Sequence, residues 1–158
     1  MANTVLLRID DRLLHGQIGR AWVPACNGNT IIIANDDIKD NTDKQKLMEL
    51  VTPIGCTTHF LGLSEITNTL ADFDDEKDVI ILVESPEHAL KLIQNGLEVD
   101  SVNIGNMRNT GYKRQINDTV FVDEDDLKYL EQIKKAGKTL DIRAIPSDKT
   151  TSEEELFN

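Results

Sequence analysis

Two arginines, two aspartates and a histidine fall within eight positions near the start of the chain, in Arg8-Ile9-Asp10-Asp11-Arg12-Leu13-Leu14-His15-Gly16-Gln17. A neutral imidazole is a nucleophile near pH 7, so His15 is a candidate phosphoryl acceptor. Asp10 or Asp11 would orient one ring N–H and fix the tautomer. Arg8 and Arg12 have the fork geometry that clamps phosphoryl oxygens. Gly16 leaves the imidazole uncrowded on one side. A helix starting there would offer the backbone N–H groups of Gly16 and Gln17 to an anion. The plain alternative is a solvated charged turn.

The flanking residues say how this stretch is held. Thr4 to Ile9 is apolar enough for a strand covered on both faces. Gln17 to Val23 has helical spacing, and Pro24 is expected to end that helix. The charged stretch is therefore a loop at the carboxyl end of a strand, where open α/β sheets put their chemistry. Strands are expected at Thr30–Ala34, Cys56–Leu61, Val79–Val83, Ser101–Ile104, Thr119–Val122 and Leu140–Ile145, the last alternating and so an edge strand. Helices are expected over Asp43–Val51, with Leu47, Leu50 and Val51 on one face, and over Ser64–Ala71, capped by Ser64. Two more start at Ser85-Pro86, with apolar Ala89, Leu90, Ile93 and Leu97, and at Asp123, running to Ala136 before Gly137. From Pro146 the chain reads as a loose polar tail with a last turn. The alternation predicts a single α/β domain: an open, mostly parallel β-sheet with helices on both faces and an antiparallel edge strand.

Other residues fall at strand ends that share this crevice. Glu84 and Ser85 follow one strand. Gly105 and Arg108 follow another, in Gly105-Asn106-Met107-Arg108. Gly105 permits close backbone approach by a phosphate or a partner, and Arg108 would be a third cation.

Composition narrows the function. Of 158 residues 39% are hydrophobic, in short runs, as in a globular protein. No run is long enough to span a bilayer, and Met1-Ala2-Asn3 carries no signal peptide, so a cytoplasmic location is expected. A net charge of −11 argues against nucleic-acid binding. Cys26 and Cys56 lack metal-ligand or redox spacing and read as reduced thiols. There is no P-loop or dinucleotide fingerprint. Asp10, Asp11, Asp36 and Asp37 suggest a magnesium site of the kind receiver domains use. That reading weakens because the strand Val79–Val83 ends in Glu84-Ser85-Pro86, without an acceptor aspartate. Asp36 or Asp37 is better placed to cap a helix.

The stretch Arg8–Gln17 resembles the phosphorylation-site signature of the enzyme IIB components of the sugar phosphotransferase system, in the mannose/fructose/sorbose family that includes N-acetylgalactosamine transporters. Ser101-Val102-Asn103-Ile104-Gly105-Asn106-Met107 and Val120-Phe121-Val122-Asp123-Glu124-Asp125-Asp126-Leu127 are similar to later segments of that family. The resemblance implies a cytoplasmic phosphoryl carrier that associates peripherally with a membrane transporter. His15 would accept the group from a phosphohistidine on a IIA protein and pass it to a sugar delivered by membrane IIC and IID components. Arg12 and Arg8 would hold the oxygens, Asp10 would support the loop, and neither metal nor cofactor is needed. The sugar stays open, with Leu14, Gly19 and Asn106 leaning toward the amino-sugar branch without a physical argument. The competing classes are a non-catalytic, receiver-like signalling or ligand-binding module and a magnesium-dependent phosphatase.

Overall fold

The computed structural model describes residues 2–158. Strands β1 (Asn3–Asp10), β2 (Thr30–Ala34), β3 (Thr57–Leu61), β4 (Asp78–Val83), β5 (Ser101–Asn106) and β8 (Thr139–Ile142) form a six-stranded sheet in the order β3-β2-β4-β1-β5-β8. A separate ribbon pairs β6 (Arg114–Gln115) with β7 (Phe121–Val122). The helices are α1 (Val23–Cys26), α2 (Asp36–Lys39), α3 (Thr42–Glu49), α4 (Ile66–Asp72), α5 (Pro86–Gln94), α6 (Glu124–Lys135) and α7 (Glu154–Phe157).

The period-2 alternation of side chains divides the core in two. On β2, Ile31 and Ile33 join one apolar cluster with Leu13, Leu14, Ile18 and Trp22, while Ile32 and Ala34 join the other with Ile66, Ala89 and Leu130. Both faces are covered, which is why β2 and β4 read as unbroken apolar runs.

Several expectations need correction. Among the described residues every pairing in the six-stranded sheet is parallel, including β5 with β8, so the edge strand β8 is parallel, not antiparallel. The antiparallel contacts are the β6–β7 ribbon and one bridge from Ile142 to Thr151. That bridge also anchors the supposedly loose tail: Leu156 of α7 is fully buried, and Glu153 accepts a hydrogen bond from the Leu140 N–H at 2.8 Å. Pro24 does not end its helix. A π-turn over Ile18–Trp22, with the Val23 N–H bonded to the Ile18 carbonyl, precedes it, and Pro24 sits in the first turn of α1, where no N–H is required. Asn35, not Asp36 or Asp37, caps α2, its Oδ1 accepting from the Asp37 and Ile38 N–H groups. Ser64 lies inside a 3-10 turn whose entry is held by Glu65 accepting from the Gly62 N–H at 2.7 Å. Leu47, Leu50 and Val51 are all exposed, Leu50 at 81%.

Candidate functional site

The site begins with the alternation of β1. Leu7 and Ile9 point into one core cluster, which sends Arg8 and Asp10 together to the other face. Both are completely buried. Arg8 donates from Nε and Nη2 to Asp10 Oδ2 at 3.3 and 3.0 Å, and from Nη1 to Asn103 Oδ1 at 2.8 Å and the Ala144 carbonyl at 2.9 Å. Its guanidinium stacks over Trp22, 5.3 Å from the ring, and Trp22 Nε1 donates to the same Ala144 carbonyl. Arg8 thus stands under the site rather than at its mouth. Its guanidinium is spent on holding Asp10.

Beyond Asp10 the chain turns sharply. The Leu13 N–H bonds the Asp10 carbonyl at 2.9 Å, and Leu13 takes a left-handed conformation, φ 57°. That costs a leucine about 1–2 kcal/mol. It is sustained by the buried side chains of Leu13 and Leu14, which pack against Ile18, Trp22 and Ile38. The turn brings His15 back over Asp10, Nε2 lying 2.8 Å from Oδ2. Arg12 closes the other side, its backbone N–H and Nε donating to Oδ1 at 2.9 and 3.2 Å and its Nη2 to Oδ2 at 3.2 Å.

Burial alone would push the Asp10 carboxyl up. The hydrogen bonds from His15 and Arg12 and the charge of Arg8 outweigh it and hold Asp10 at about 2. Asp10 is therefore ionised and only accepts, so the proton in its bond to His15 sits on Nε2. In the neutral ring the lone pair is then on Nδ1, which has no hydrogen-bond partner among the described residues and is not sealed from solvent. The ring is 20% exposed. The ring is thus oriented with a fixed tautomer, as a nucleophile requires, beside an arginine that is 43% exposed.

Gln17 stands next to the arginines, its Oε1 3.5 Å from Arg8 Nη2 and Arg12 Nη2. Gly16 and Gln17 open the helical segment, where N–H groups have no intrahelical acceptor. Gly105 lies within β5, not in a loop, and its missing side chain makes room for the Arg8 guanidinium rather than for a ligand. Glu84, Ser85 and Arg108 do come together, in a cleft also lined by Asp11, His88 and Lys113; His15 is not part of its lining. Asp11 joins the two places, accepting from Asn106 Nδ2 at 2.6 Å and the Arg108 N–H at 2.8 Å. Ser85 itself caps α5 by accepting from the His88 N–H.

The four aspartates do not gather. Asp10 faces His15 and the arginines, Asp11 faces Arg108, and Asp36 accepts from the Leu63 N–H at 2.9 Å. Among the described residues no group of three or more His, Cys, Asp or Glu stands where it would hold a metal ion. Cys26 and Cys56 are free and half-buried, and burial pushes both thiols up.

Sequence reasoning missed Asn103 and the Ala144 carbonyl as partners of Arg8. A polar residue inside the otherwise apolar Val102–Ile104 was the available signal for Asn103. The carbonyl left none.

Comparison with known proteins bears on this geometry. Residues 4–158 match the family described as the sorbose subfamily IIB component of the phosphotransferase system. The N-acetylgalactosamine-specific phosphotransferase enzyme IIB component 2 of Escherichia coli (strain K12) is 33% identical, the match covering 94% of each chain. The fructose-specific EIIB component of Bacillus subtilis (strain 168) is 34% identical over 94% of this chain and 91% of its own. The crystal structure of the N-acetylgalactosamine-specific IIB component 1 from Escherichia coli superposes with a TM-score of 0.90 at 29% identity, covering 95% of this chain and 99% of the other.

Proposed function

The chain belongs to the sorbose subfamily of phosphotransferase-system IIB components, and from that premise we propose that His15 Nδ1 is the atom that carries the phosphoryl group. The reading rests on one observation, the 2.8 Å contact of His15 Nε2 with buried Asp10. Nδ1 attacks the phosphorus of a phosphohistidine on a IIA partner. The new P–N bond forms as the donor's breaks, and the electron pair returns to the donor nitrogen. Positive charge developing on the His15 ring is met by the Asp10 carboxylate, preorganised in a dry setting. Arg12 and the N–H groups of Gly16 and Gln17 meet the phosphoryl oxygens. Arg8 positions Asp10 and does not touch the phosphoryl group.

In the second transfer a sugar hydroxyl attacks the same phosphorus. The P–N bond breaks with its electron pair returning to Nδ1, neutral His15 leaves, and the hydroxyl proton is released to water. The acceptor is a sugar presented by membrane IIC and IID components, and this chain works peripherally at the cytoplasmic face. No helix among the described residues is long and apolar enough to cross a membrane. Relatives are named for N-acetylgalactosamine and fructose, and an amino sugar is our first choice. The cleft of Glu84, Ser85 and Arg108 borders the site through Asp11 and is offered as part of the partner-facing surface.

The test is intact-protein mass after incubation with phosphoenolpyruvate, enzyme I, the phosphocarrier protein and a IIA protein. The parent gains one phosphoryl group, stable in base and lost in acid, and His15→Ala gains none while staying folded. Labelling retained by His15→Ala would sink the assignment.

A further inference from the structure

With Arg8 withdrawn beneath Asp10, the site is left with one arginine from the loop, and that one already serves Asp10 on three contacts. A transferred phosphoryl group brings close to two negative charges. The helical segment after His15 holds a further arginine, Arg20. Arg20 is exposed, and it makes no hydrogen bond or ion pair with any described residue. Among the described residues the other arginines each bond a carboxylate or a carbonyl, as Arg114 does with the Glu155 carbonyl and Arg143 with the Asp141 carboxylate.

Its side chain is exposed but does not point straight outward. It folds back along the segment onto Gly16: a Cβ built on Gly16 would meet Arg20 Nη1 at 3.1 Å and Nη2 at 3.6 Å. This follows the direction long side chains take on helices, toward the amino end. Here the amino end is His15, the residue adjoining Gly16. A side chain at position 16 would press on the guanidinium and push it a few tenths of an ångström away.

We propose that Arg20 is a second phosphoryl-binding arginine, resting on Gly16 in the unmodified protein and moving onto the phosphoryl oxygens once His15 carries the group. The inference rests on the reading of His15 as the phosphoryl acceptor. Arg12 approaches from the loop side and Arg20 from the helix side, so the two together supply what a clamp by Arg8 and Arg12 was expected to supply.

Arg20→Gln and Arg20→Lys in the full-length protein test this, with the same phosphorylating chain of proteins. The expected result for Arg20→Gln is phosphoryl acceptance slowed by roughly tenfold, the value of one charge-assisted contact at a partly solvated site. The phosphorus-31 resonance of the phosphoprotein should also titrate at higher pH, because a lost cation makes the second proton harder to remove. Arg20→Lys should restore part of both. Acceptance and titration matching the parent's would overturn the role. Slower acceptance with an unmoved titration would overturn it too, assigning Arg20 to the partner's footprint. A parent that takes no phosphoryl group defeats the carrier reading itself, which separates the two failures.

Discussion

Arg8 lies so close to Gly105 that a Cβ on the glycine would stand 2.0 Å from the guanidinium carbon. The contact joins β1 to its neighbour β5 beneath the candidate site. The guanidinium has nowhere to retreat, with Trp22 stacked on it and Asp10, Asn103 and the Ala144 carbonyl bonded to it.

Gly105→Ala should therefore act as an overpacking mutation at a charged site. Its expected cost is about 3 kcal/mol, at the upper end for buried overpacking because the displaced group is an ion. Urea denaturation measures it. A loss under ~1 kcal/mol would mean that Arg8 has another place to go.

Asp10 makes stability depend on acid. Its folded value, about 2, lies below the ordinary 3.8, so its contribution is fully present above pH 4 and is lost as pH falls through 2. The difference amounts to about 2 kcal/mol at neutral pH. Denaturation curves of the parent and Asp10→Asn should lie apart at pH 6 and converge toward pH 2. Curves separated equally at every pH would contradict the account.

The same substitution tests the tautomer argument. An amide at position 10 no longer demands a proton on Nε2, so Nδ1 is not held ready. Phosphoryl acceptance by Asp10→Asn should fall by about 100-fold while the protein stays folded at neutral pH. Nitrogen-15 NMR of His15 should report mixed tautomers where the parent has Nε2–H.

The tail and α3 invert what their sequences suggest. Leu156 is fully buried, so Leu156→Ala should cost about 2–5 kcal/mol. Leu50 is exposed, so Leu50→Ser should change stability by under ~0.5 kcal/mol. Thermal melts of the two variants decide it.

The order of elements and the place of His15 were legible in the sequence, because both follow from local rules. Unbroken apolar runs such as Thr30–Ala34 mark strands buried on both faces, and Ser85-Pro86 and Gly137 punctuate helices wherever they occur. Period 2 also puts Arg8 and Asp10 on one face of β1. What stayed hidden depends on residues far apart in the chain. Arg8 reads as a surface clamp until Asn103, Ala144 and Gly105 are brought against it, and packing buries its guanidinium against Asp10. The parallel pairing of β8, the anchoring of Leu156 and the exposure of Leu50 were likewise decided by packing between distant segments. Periodicity tells that a residue shares a face with another. It does not tell whether anything covers that face, since the cover comes from elsewhere in the chain.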